Sequence, residues 1–246
     1  MSAETAPSAP SWRGSLDRVT RRLGVATLTG ALLGSAVGGV GGRSAMMLLA
    51  VRNPDATGLT SDDGFTMGQF TASGTANLLV VTTFIGVLGG GIYLALRDLM
   101  IGPRWFRLCS ISIGPAVVVG ALVVHPDGVD FTRLSPLWLA VSLFVVIPAV
   151  YAALLTVVTD RWLARPAHPS GRRRALLIAS LLLWVPLAPF LALGALGWLV
   201  AEILRRHAGG NLLRSSALLA WAARLGLTLI FLAALADLSR DVATLT

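Results

Sequence analysis

Apolar and polar positions along the chain fall into long blocks rather than short alternations. Six apolar runs stand out, at residues 24–51, 77–96, 108–124, 137–158, 175–204 and 217–236. About 20 apolar residues in a helix cross a hydrocarbon core of about 30 Å. The blocks therefore predict an all-α fold, a polytopic membrane helix bundle of six transmembrane spans. The third run is at the short limit. The first and fifth are overlong, so they require tilt, a kink or extension into the headgroups.

The polar segments between the runs differ in charge. Arg13, Arg18, Arg21 and Arg22 precede the first run, and Arg52 alone lies in the 52–76 loop. Arg97, Arg104 and Arg107 follow the second run, Arg133 alone follows the third, and Arg161, Arg165 and Arg172–Arg174 follow the fourth. Loops rich in arginine stay in the cytoplasm. The alternation predicts a cytoplasmic N-terminus and a location in a bacterial cytoplasmic membrane. Residues 1–22 form the cytoplasmic tail, and the Ala-, Pro- and Ser-rich first fifteen are expected to be disordered. The first run is too long for a signal-peptide core and is expected to remain as a span.

The fifth run breaks the alternation, because arginines flank both its ends. One crossing would leave Arg205, Arg206 and Arg214 outside. A hairpin turning at Pro186 and Pro189 would keep them inside, but each arm would be only about 22 Å long. The length favours a single long, Pro-kinked span, with a re-entrant hairpin as the alternative. Pro115 and Pro148 also fall within runs, where proline bends a helix and frees a carbonyl.

Glycine recurs every four residues in the first run, at Gly30, Gly34, Gly38 and Gly42, and Gly86 and Gly90 repeat the spacing in the second. On a helix this spacing makes a face without side chains. In lipid, helices associate largely through close packing of such faces. The first two spans are expected either to pack as a tight pair or to present this face to a second copy. A hinge is the functional rival, since glycine also loosens a helix.

Two arginines lie within runs. Arg43 follows Arg22 by about 31 Å of helix, so it is expected at the outer boundary, paired with Asp62 or Asp63 or snorkelling. Arg224 lies near the middle of the sixth run, where an arginine is unfavourable by about 2.5–3.5 kcal/mol on insertion scales. It should face the bundle interior with Glu202 or a carbonyl as partner. It is a candidate substrate or gating group, or else a structural anchor. His125, Asp127 and Asp130, with Asp62 and Asp63, form a candidate outward divalent-cation site. Their spacing matches no known metal loop, and pairing with Arg43, Arg52 and Arg133 is the simpler expectation.

Composition narrows the function classes. Charged residues are 13% of the chain and hydrophobic residues 55%, against roughly 25% charged in a soluble domain. The net charge is +8, but its arginines cluster at the ends of apolar runs, which argues against nucleic-acid binding. Cys109 is the single cysteine and reads as a small apolar residue. No nucleotide, zinc-protease or serine-hydrolase motif is present, and the three histidines fall in separate connections. No catalytic residue, metal site or cofactor is expected.

The stretches GGRSAMMLLAVRNPDATGLTSDDGFTMGQFT and HPDGVDFTRLSPLWLAVSLFVVIPAVYA resemble those of a group of multi-span membrane proteins of actinobacteria. The resemblance implies a cytoplasmic-membrane location and outward Asp-Gly-Phe loops, and brings no activity with it. The residues themselves point first to a non-enzymatic membrane scaffold or accessory subunit. Its partners are the lipid bilayer and a second copy or other membrane proteins. A small transporter or channel using Arg224 is the second expectation, and a lipid-handling enzyme the third.

Overall fold

A computed structural model describes residues 12–58, 68–69, 71–126, 129–165, 171–189, 191–192, 196–197 and 212–245. Among these, every regular element is helical. The elements are α1 (Trp12–Leu33), a π-helical segment (Gly34–Gly41), α2 (Gly42–Arg52), a 3₁₀ turn (Pro54–Ala56), α3 (Ala72–Arg97), α4 (Arg104–Val123), α5 (Val129–Thr132), α6 (Leu137–Ala164), α7 (Gly171–Ser180), a 3₁₀ segment (Leu181–Trp184) and α8 (Leu212–Leu245). Five helices are long and apolar enough to cross a membrane: Leu16–Arg52, Ala72–Arg97, Arg104–Val123, Leu137–Ala164 and Ala220–Leu245. The chain is accordingly a membrane protein with an all-helical fold.

The first of these helices joins α1, the π segment and α2 without a break, since Leu33, Gly41 and Gly42 all keep helical dihedrals. It starts at Trp12, within the stretch whose composition reads as a tail. Residues Asp17 and Arg21 tie this first part down, through Arg174 and the end of α6. Thr71 caps α3, its Oγ1 accepting from the Gly74 amide at 3.2 Å. Pro115 and Pro148 lie inside α4 and α6, and each helix continues through its proline.

Two ends of the bundle are chemically distinct. At one, Arg21 donates to the carbonyls of Trp162, Leu163 and Arg165, and Arg174 pairs with Asp17 at 2.6 Å. At the other, Leu49, Ala56, Val124, Phe131, Leu134 and Ala140 form a buried cap, joined by Leu238, Val242 and Leu245 of α8. Asn53 fastens this cap by accepting from the Ser135 amide at 2.8 Å.

These contacts fix the direction of each helix. α1–α2, α4 and α8 run from the Arg-rich end to the apolar cap, and α3 and α6 run back. α7 also starts at the Arg-rich end, where Arg174 meets Asp17 and Ser180 reaches the Gly24 carbonyl. The 3₁₀ segment and the turn after it then climb along α1 and α3 to Leu187, which is buried with Ala31 and Val87. α8 begins again at the Arg-rich end. α7 and α8 thus both start from the same end of the bundle, a placement that a return of the chain would give and one crossing would not. The single Pro-kinked crossing expected for 175–204 falls largely outside the described residues, which between 190 and 211 are only 191–192 and 196–197.

Candidate functional site

Glycine positions the closest approach in the molecule. A Cβ built on Gly30 would fall on the Gly86 carbonyl, one on Gly34 on the Thr82 carbonyl, and one on Gly90 on the Ala26 carbonyl. A Cβ on Gly86 would meet the Gly30 carbonyl and lie 2.8 Å from the Gly34 Cα. Backbone thus rests on backbone between antiparallel α1 and α3, which only glycine permits. The glycine faces of the two spans meet inside one chain.

The π segment alters which glycines take part. Its wider i→i+5 turn brings both Gly38 and Gly39 toward α3. Added Cβ atoms there would meet the Thr82 side chain at 3.1 Å and the Leu79 side chain at 2.6 Å. Gly42, the fourth residue of the sequence stripe, faces nothing within 4 Å. Polar groups line the same seam. Ser35 and Thr83 share a hydroxyl–hydroxyl hydrogen bond of 2.6 Å, and Trp184 Nε1 donates to Thr27 Oγ1 at 2.8 Å.

Two tyrosines attach α6 to this pair. The Tyr151 hydroxyl donates to the Gly86 carbonyl at 2.6 Å and occupies the space that Gly89 leaves open. The Tyr93 hydroxyl donates to Asp160 Oδ1 at 2.7 Å, and Arg97 pairs with the same oxygen at 3.2 Å. Arg107 of α4 lies within electrostatic reach of Tyr93. Tyr93, Arg97, Arg107 and Asp160 thus form a polar cluster at the Arg-rich end. Sequence reasoning passed over it, although both tyrosines of the chain fall within apolar runs and Asp160 closes the fourth.

Arg224 sits elsewhere than its run implies. Its Nε donates to the Leu99 carbonyl at 2.9 Å, and its guanidinium lies over the Trp221 ring at 5.1 Å. Leu99 belongs to the short connection between α3 and α4, so Arg224 is at the Arg-rich end and not at mid-span. The span of α8 extends from there to Leu245, about 31 Å further along the helix. The bundle sets this depth, because Leu238 packs on Gly120 and Leu245 on the apolar cap.

At the other end, Arg43 donates to the Gln69 carbonyl at 2.6 Å. Asp62 and Asp63, its expected partners, lie outside the described residues, as do Asp127, Glu202 and the side chain of Asp130. His125 turns back on its own helix, its Nε2 2.8 Å from the Leu122 carbonyl. Among the described residues, no group of three His, Cys, Asp or Glu side chains converges as metal ligands would. Two buried hydroxyls, Thr29 Oγ1 and Thr159 Oγ1, have no hydrogen-bond partner among the described residues. Comparison with protein-family models, with curated proteins and with solved structures gives no match to this chain.

Proposed function

We propose that the protein is a non-enzymatic component of a bacterial cytoplasmic membrane, a scaffold or accessory subunit with lipid and other membrane proteins as its partners. The observation that carries this reading is the use made of its polar groups. Arg21, Arg43, Arg224, Tyr93 and Tyr151 each bond to a carbonyl or carboxylate of another part of the chain and hold helices together. The glycine faces are occupied by one another, so association with a partner would use lipid-facing surface instead. α8 offers the most, packing chiefly on α4 and the apolar cap and exposing Leu225, Leu229 and Ile230.

In this reading the N-terminus is cytoplasmic, following the arginine bias. The 171–211 stretch enters and leaves by the cytoplasmic side, and α8 makes the fifth crossing, ending outside. The resemblance to actinobacterial multi-span proteins accords with this location. Transport is the second reading, and the unpartnered Thr29 and Thr159 hydroxyls favour it, since polar groups inside a bundle can line a path.

Purification in mild detergent, followed by native mass spectrometry and identification of bound proteins, separates the two. The scaffold reading predicts stoichiometric complexes with a membrane partner or a second copy. A lone, ligand-free chain that conducts ions or solutes in proteoliposomes would replace it with transport.

A further inference from the structure

Where α3 gives way to α4, charge accumulates on one side of the bundle. Among the described residues, Arg97, Arg104, Arg107 and Arg161 are near the ends of their helices here and Arg224 reaches the same end, with Asp98 and Asp160 as the neighbouring acidic residues in sequence. Arg97 is paired with Asp160, and Arg224 is engaged by the Leu99 carbonyl. Arg104, Arg107 and Arg161 have no hydrogen-bond or ion-pair partner among the described residues. Two of these, Arg104 and Arg107, occupy the first turn of α4, where the helix dipole is already positive and no acidic side chain offsets it. Among the described residues, the arrangement leaves a positive patch in excess of the half-exposed Asp160 carboxylate.

Its setting is a membrane interface. Trp105 and Phe106 stand between the two arginines in sequence, pack edge to face with ring centroids 5.8 Å apart, and are exposed. Trp221 of α8 is exposed at the same end. Aromatic rings of this kind lie at the headgroup level. α3 and α4, although joined by only a short connection, are not packed along each other, because α6 and α8 take up the flanks of α4.

We propose that this patch is a binding site for the headgroup of an anionic phospholipid. Arg104 and Arg107 hold the phosphate through charge-assisted hydrogen bonds. Arg97, fixed by Asp160 and indirectly by the Tyr93 hydroxyl, flanks it as a positioning residue. Trp105 and Phe106 cover the glycerol region. The charge is matched by a headgroup that is anionic overall and not by a zwitterionic one, whose own ammonium would meet the same arginines.

The test uses the full chain, delipidated in detergent, with dioleoyl phosphatidylglycerol or dioleoyl phosphatidylcholine added and binding read by native mass spectrometry. Phosphatidylglycerol should be retained in preference to phosphatidylcholine. Arg107→Gln should weaken its binding roughly tenfold, the effect of one lost charge-assisted contact. Arg107→Lys should restore part of it, and Arg172→Gln, which removes the same charge at the same end, should leave it unchanged. Gel filtration and helix content confirm that each variant is folded. Equal binding of the two lipids, or equal loss in Arg107→Gln and Arg172→Gln, would overturn the proposal. So would displacement of the lipid by millimolar inorganic phosphate, which would make free phosphate the ligand.

Discussion

At Gly86 an added Cβ would fall on the Gly30 carbonyl, whereas at Gly226 it would meet nothing within 4 Å. Two glycines in apolar helices thus carry opposite expectations. Gly86→Ala should destabilise the protein by about 1–3 kcal/mol through overpacking. Gly226→Ala should be neutral or stabilising by up to about 1 kcal/mol, since alanine is the better helix former. Unfolding midpoints in one detergent compare them, and equal shifts would show that the α1–α3 approach is not close. Much of this was legible, because four-residue spacing in two successive runs already pairs Gly30 and Gly34 with Gly86 and Gly90. The displacement of Gly42 was not legible, because it follows from a π-helical turn that no residue pattern announces. Nor was the role of Gly91, whose open side receives the Trp184 ring from a segment distant in sequence.

The end of α6 is held by bonds from outside the helix. Its last carbonyls carry the negative end of the helix dipole and lack partners within the helix. Arg21 supplies them, bonding to Trp162, Leu163 and Arg165 across the bundle. An arginine that hydropathy reads only as a topology signal is therefore also a helix cap. Arg21→Met keeps the apolar stem and removes the donors. It should cost about 1–3 kcal/mol and raise amide hydrogen exchange over the last turn of α6. Unchanged exchange there would mean that the bonds contribute nothing to that end. The bounds of α8 show the opposite limit of sequence reading. Asp237, Arg240 and Asp241 interrupt the apolar run and made the helix seem to leave the membrane near residue 236. Packing of Leu238, Val242 and Leu245 carries it further and lowers Arg224 to the Arg-rich end. Hydropathy locates a span, but contacts with its neighbours set its depth.

Across the whole molecule, the first four spans and their alternating directions were readable from length and arginine bias, because both are one-dimensional quantities. The fifth run was not, since a crossing and a return have nearly the same hydropathy. What favours the return is that Arg174 of α7 and Arg224 of α8 both lie at the Arg-rich end. Labelling of single cysteines with a membrane-impermeant maleimide tests this most directly, in a Cys109→Ala background because Cys109 is itself exposed. Arg172→Cys and Ser215→Cys should react only after the cells are permeabilised, and Thr244→Cys should react in intact cells. Labelling of Ser215→Cys from outside, with Thr244→Cys protected, would restore the single crossing and contradict the proposed path of the chain.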